Sequence, residues 1–280
     1  MPTSNDKRSR RIAYLFLCTL PFLDLVVCGA RSLRTSGVSQ VLGVALFAAV
    51  ATAVWLVGAR AVGGKDAGTR KVALAGVLLI LPWALIALLW VGIGAPFQAT
   101  LEENFMRYLV LVSNAILVTS GFVVLKDALY DGGERFYSTI GFAAILTGGA
   151  TYLACLSLSL AQVAMAQAGD KTPPPAITEY LYSVLEFFAC IMTYVTTAVF
   201  AIAVSRARLV GRGAAWAYAT ASAILVLLLV LRGLEFPEIS ANTAPWYTRP
   251  GVIAGIPAIP WIMPGLLGAV LLRRAGDVEA

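Results

Sequence analysis

Residues 72–94 read VALAGVLLILPWALIALLWVGIG, and no ionisable side chain interrupts the stretch. A helix rises about 1.5 Å per residue, so roughly 20 such residues cross a hydrocarbon core of about 30 Å. By the same criterion seven further segments qualify: 12–31, 39–61, 105–127, 137–165, 179–204, 213–234 and 251–272. The sequence therefore predicts an all-α fold, a polytopic transmembrane helix bundle of about eight spans. It is expected to form a single integral membrane domain over residues 1–280. The loops AVGGKDAGTRK, YDGGERF and AGDKTPPPAITE carry the Gly, Pro and charge of turns. The fifth segment, around GGATYLACLSLSLAQVAMAQ, runs long and is expected to tilt or to extend beyond the membrane. The first four segments show no similarity to the last four.

Composition agrees with the segments. The 280 residues are 59% hydrophobic and 13% charged, about half the charge of an ordinary soluble domain. The net charge of +6 forms no single patch; the basic residues sit at the ends of apolar segments, where they act as orientation signals. No nucleic-acid partner is expected.

The chain contains no histidine. That excludes histidine-ligated haem, histidine metal sites and any Ser-His or Cys-His catalytic arrangement. Cys18, Cys28, Cys155 and Cys190 all fall inside apolar segments without a CxxC pair, and read as small buried hydrophobes. No cofactor and no metal are expected. The N-terminus pairs a basic stretch with an apolar run of about 19 residues, longer than the ~7–15 of a signal-peptide core, so it reads as an uncleaved first helix.

Placing the N-terminus inside puts 15 of the 21 Lys and Arg on the cytoplasmic side. Arg31, Arg34, Arg107, Lys171, Arg232 and Arg249 fall on the outer side. This bias predicts an even number of spans with both termini cytoplasmic, and the absence of any Asn-x-Ser/Thr acceptor fits a bacterial inner membrane.

Within that topology Asp24, Glu186, Arg107 and Arg232 share the outer leaflet, each on a different span. A charge at membrane depth costs about 2.5–3.5 kcal/mol and needs a partner or water. Three alternatives follow: acid–arginine pairs that lock helices, an outward-facing polar cavity that receives a ligand, or snorkelling to the headgroups. On the sixth span Tyr182, Glu186 and Cys190 recur at i, i+4 and i+8, with Glu179 as a cap and Ser183 on the same side. On the fourth span Ser113, Asn114 and Thr119 continue inward from Arg107. Such residues either line a pathway or hydrogen-bond helices together.

The last segment holds Pro257, Pro260 and Pro264 on one helical face, beside Trp261. In a continuous helix each would free a carbonyl, as in the interrupted helices of transporters; the alternative is a packing kink. Gly251 and Gly255 form a small-xxx-small pair. The preceding EFPEISANTAPWYTRPG reads as an interfacial belt or as a lid.

EENFMR, residues 102–107, matches the EExxxR motif of CAAX-type intramembrane proteases, but that family's later motifs need histidine, so the match is a decoy. A retinal protein is excluded because no late span holds a lysine. The expected function is binding or transport of a small molecule, ion or lipid through an outward-facing cavity lined by Asp24, Arg107, Asn114, Tyr182, Glu186 and Arg232. The alternative is a non-catalytic membrane subunit, sensor or scaffold. Expected partners are membrane lipids, a small-molecule or ion ligand, and a second membrane protein or copy of the chain.

Overall fold

A computed structural model describes residues 4–29, 38–93, 99–170, 175–232 and 259–279. All regular structure among them is helical: α1 (Ser4–Gly29), α2 (Val38–Val57), α3 (Ala67–Leu89), α4 (Leu101–Asp131), α5 (Phe136–Gln167), α6 (Ala176–Arg206), α7 (Arg212–Arg232) and α8 (Ile262–Glu279). Short 3-10 turns stand at Ala59–Gly63 and Ile259–Trp261. Six of these eight helices, α2 to α7, are long and apolar enough to cross a membrane. Their outer surfaces fit that solvent. Val41, Val44 and Trp55 on α2, and Leu227, Val230 and Leu231 on α7, are all exposed. α5 has 32 residues, about 48 Å of helix, and so exceeds the hydrocarbon thickness as its sequence predicts.

The chain divides into two compact units, Met1–Gly133 with Pro264–Ala280, and Glu134–Met263. In the first unit α3 lies innermost. Leu79, Ile80, Trp83, Ile86 and Ala87 form its buried side, while Leu74, Leu78, Leu81, Leu85 and Leu88, on the opposite face, are only half-buried. α4 runs antiparallel to α3, fixed at one end by Lys71, whose ammonium meets Asp127 and Asp131 at 2.6 Å each. Further along the pair, Asn114 Nδ2 donates to the Pro82 carbonyl at 3.3 Å. α8 packs on α3 through glycines. A Cβ at Gly268 would come within 2.9 Å of the Gly76 carbonyl oxygen, so backbone approaches backbone there.

In the second unit α5 and α6 make the principal pairing, with α7 against α6. α5 begins where Glu134 accepts hydrogen bonds from the backbone N–H groups of Tyr137 (3.0 Å) and Ser138 (2.9 Å).

Other helix starts follow equally local chemistry. Asp66 accepts from Thr69 N at 2.6 Å ahead of α3. Thr100 and Glu103 form a reciprocal capping box at the start of α4.

The last helix differs from its sequence expectation. Pro257, Gly251, Gly255 and the 235–249 segment lie outside the described residues. Pro260 and Trp261 form the 3-10 turn, and α8 starts only at Ile262. Pro264 therefore sits in the first helical turn, where backbone N–H groups have no intrahelical acceptor and a missing one costs nothing. Along the described residues, proline starts this helix and does not bend it.

Candidate functional site

The polar residues of the apolar region form two sets, one in each unit. In the first unit α1 carries Asp24 near its C-terminal end. Asp24 is fully buried, and neither carboxylate oxygen has a hydrogen-bond partner. No ion pair involving it occurs among the described residues. Helix-lock pairing with Arg107 is thus absent at this acid.

Arg107 is buried too, at 5% exposure, but it is held locally. Its Nη1 donates to Asn104 Oδ1 at 2.7 Å, one turn back on α4. Its guanidinium lies 5.7 Å from the centroid of the Trp90 ring, within cation–π range. Trp90 Nε1 is itself buried without a hydrogen-bond partner. Asn114, two turns further along α4, is fully buried; its Nδ2 is satisfied by Pro82 while its Oδ1 has no partner. A buried polar atom left unpaired costs about 1–3 kcal/mol. The first unit therefore keeps such atoms on four residues, Asp24, Trp90, Asn114 and Glu103, the last at its Oε1 only.

The second unit accounts for the stripe on α6. Tyr182, Glu186 and Cys190 all face α5, as their spacing at i, i+4 and i+8 requires. Cys155 Sγ lies 3.8 Å from the Tyr182 carbonyl, a weak donor contact. Cys190 Sγ is 3.4 Å from the Tyr152 hydroxyl. Glu186 is half-buried and close enough to Tyr152 and Cys155 to act on both electrostatically. One of its carboxylate oxygens, Oε1, is buried without a hydrogen bond. Trp261, from the 3-10 turn, closes the group with its ring 5.2 Å from that of Tyr152. Arg232 ends α7, and its side chain lies outside the described residues, as does that of Glu179.

Sequence reasoning found the α6 stripe and missed its α5 counterpart, Tyr152 and Cys155. Nothing local marks either residue, since both sit singly in an apolar run. It also missed the capping box. The signal was present as Thr100-x-x-Glu103, and it explains the second acid of EENFMR: the Glu103 side chain accepts from Thr100 N at 2.7 Å, so it closes its own helix start. Among the described residues no group of three metal-ligating side chains occurs. No protein-family model, curated protein or solved structure matches this chain.

Proposed function

We propose that the chain is a multi-pass membrane protein of about eight spans, both termini cytoplasmic, that binds or transports a small cation, with Asp24 as the receiving group. Asp24 carries the proposal. A carboxyl buried without any hydrogen bond is costly to keep, and an acid inside a membrane helix ordinarily marks an ion or proton path. A purely structural acid would sit opposite a donor, as Glu134 and Glu103 do. Arg107 and Asn114 are buried in the same unit, and in this reading they are further polar residues of the path. The absence of any Asn-x-Ser/Thr acceptor supports a bacterial inner membrane, and the basic bias of the inner loops supports the orientation.

The test uses the full chain reconstituted in vesicles, with flux of protons, Na⁺ and K⁺ followed by fluorescent reporters. Wild-type vesicles conduct or exchange one of these, and Asp24→Asn abolishes the flux while the protein remains folded by circular dichroism. A hydrophobic carbodiimide should modify Asp24, located by peptide mass, and should block the same flux. If Asp24→Asn vesicles carry the full flux, or if wild type moves none of the three ions, the proposal is wrong. In that case the polar residues are helix glue, which the Asn114–Pro82 and Tyr152–Cys190 contacts already exemplify.

A further inference from the structure

At the N-terminal end of α1, far along the helix from Asp24, α1, the C-terminal end of α2 and the C-terminal end of α8 enclose a cleft of about 980 Å³. Five cationic side chains line it, Lys7, Arg10, Arg11, Arg60 and Arg273, against two acidic ones, Asp6 and Asp277. They divide by role. Arg10 is the fixed floor. Its Nε donates to the Val57 carbonyl at 3.0 Å, its Nη2 to the Arg273 carbonyl at 2.8 Å, and its Nη1 pairs with Asp277 Oδ1 at 3.1 Å. One guanidinium thus joins three helix ends. The approach is possible because Gly276 has no side chain: a Cβ there would meet both the Arg10 guanidinium and the Val57 carbonyl. Arg273 is also committed, its guanidinium 4.8 Å from the Tyr14 ring centroid.

Lys7, Arg11 and Arg60 are different. All three are exposed, and among the described residues none has an ion pair or a side-chain hydrogen bond. With Asp277 paired to Arg10 and Asp6 the other acid in the lining, three uncommitted cations around a preformed concavity leave a net positive field. Arginine in this arrangement matches a tetrahedral oxyanion, which accepts paired N–H donors. Leu15 and Leu56 line the same cleft. A headgroup anion with an acyl chain attached would therefore find apolar wall beside the cations.

We propose that this cleft is a binding site for a phosphate-bearing anion, distinct from the Asp24 region and independent of its role. The chemistry is shared by the headgroup of an anionic phospholipid and by a soluble phosphate. Basic pockets between membrane helices on the inner side suit the former.

The purified full chain in neutral detergent distinguishes the two. It is titrated with phosphatidylglycerol, with zwitterionic phosphatidylcholine and with inorganic pyrophosphate, and read by thermal shift, with native mass spectrometry giving stoichiometry. Expected is a saturable rise in Tm with about one phosphatidylglycerol bound per chain, and no rise with phosphatidylcholine. The Arg11→Gln/Arg60→Gln double variant should need about thirty-fold more lipid for the same shift, roughly fivefold per charge removed. Arg208→Gln/Arg212→Gln removes the same charge from the other unit and should stay within about twofold of wild type. If pyrophosphate saturates the same site and displaces the lipid, the natural ligand is a soluble phosphate; if it is silent, a lipid. Should the cleft double variant not fold, Arg11→Lys/Arg60→Lys, which keeps the charge, and Lys7→Gln, which lowers it, take its place; retention in the first and weakening in the second are required. The proposal falls if neither anion gives a saturable shift, or if the variant in the other unit weakens binding as much as the cleft variant.

Discussion

Arg10 and Asp24 lie on the same helix, fourteen residues or about 21 Å apart, yet the fold treats their charges in opposite ways. Arg10 is part-buried at the polar end of α1, and each of its three donor directions is occupied, by Val57, Arg273 and Asp277. Asp24 is fully buried among apolar helices, and neither of its oxygens is satisfied. The first charge is used to fasten helix ends together. The second has no hydrogen bond among the described residues to offset the cost of its burial, and the proposed cation role rests on that observation. The same contrast holds for the two ends of the first unit. At one end Lys71, Asp127, Asp131 and Asp66 all have partners. Deeper in the apolar region Asn114 Oδ1 and Trp90 Nε1 remain unpaired alongside Asp24.

The difference is most directly attacked at Arg10. Arg10→Ala removes donors from two carbonyls and strands Asp277, and it should lower stability by about 2–3 kcal/mol. The figure is kept at the low end because the Arg10 side chain is 21% exposed and Asp277 is 50% exposed. Denaturation of the purified protein in detergent measures it. A loss below about 0.5 kcal/mol would mean that water replaces all three contacts and that Arg10 fastens nothing.

Asp24→Leu makes the opposite prediction on the same helix. It replaces an unsatisfied carboxyl by an apolar side chain of similar size in an apolar site, so stability should rise by about 1 kcal/mol while any cation flux is lost. A destabilisation of that size would show that Asp24 has a hidden structural partner, and the two ends of α1 would then be alike.

These outcomes bear on what the sequence can disclose. The helices were legible because each is encoded within its own twenty or so residues: α3 needs only 72–94 to be recognised. The α6 stripe was legible for the same reason, since Tyr182, Glu186 and Cys190 share a face by helical period alone. Partners are a different matter. Arg10 bonds to carbonyls 47 and 263 positions away, and a backbone carbonyl has no sequence signature, so no pattern could reveal that α1, α2 and α8 meet there. The nearest the sequence came was to count Arg10, Arg60 and Arg273 on one side of the membrane. The partner of Arg107 was not legible either: a charge at that place on the span needs a partner or water, and Asn104, one turn back, and Trp90 supply contacts that no spacing rule singles out. The prolines illustrate a third limit. Pro260 and Pro264 mean a kink inside a helix and a start at its first turn, and only the position of Ile262 as the first residue of α8 decides between them.

The smallest expected effect concerns Asp66, at the polar end, where the comparison predicts sensitivity to acid. Hydrogen bonds from Thr69 hold its carboxyl below the usual carboxylate range. A carboxyl whose value is lowered by folding adds stability that is complete above its unfolded value, near 3.9, and is lost as pH falls through the lower folded value. Asp66→Ala should therefore melt slightly below wild type at pH 7, and the gap should narrow at pH 3. It need not vanish, because a protonated carboxyl still accepts from the Thr69 amide. A gap that widens in acid would require Asp66 to be stabilised in its neutral form, contrary to the 2.6 Å bond from Thr69 N to its Oδ2. Because the group is fully exposed, solvent and salt screen it, and added salt should leave only the hydrogen-bonded part of the gap. That residue of stability, small as it is, separates a charge used for folding from one held in reserve.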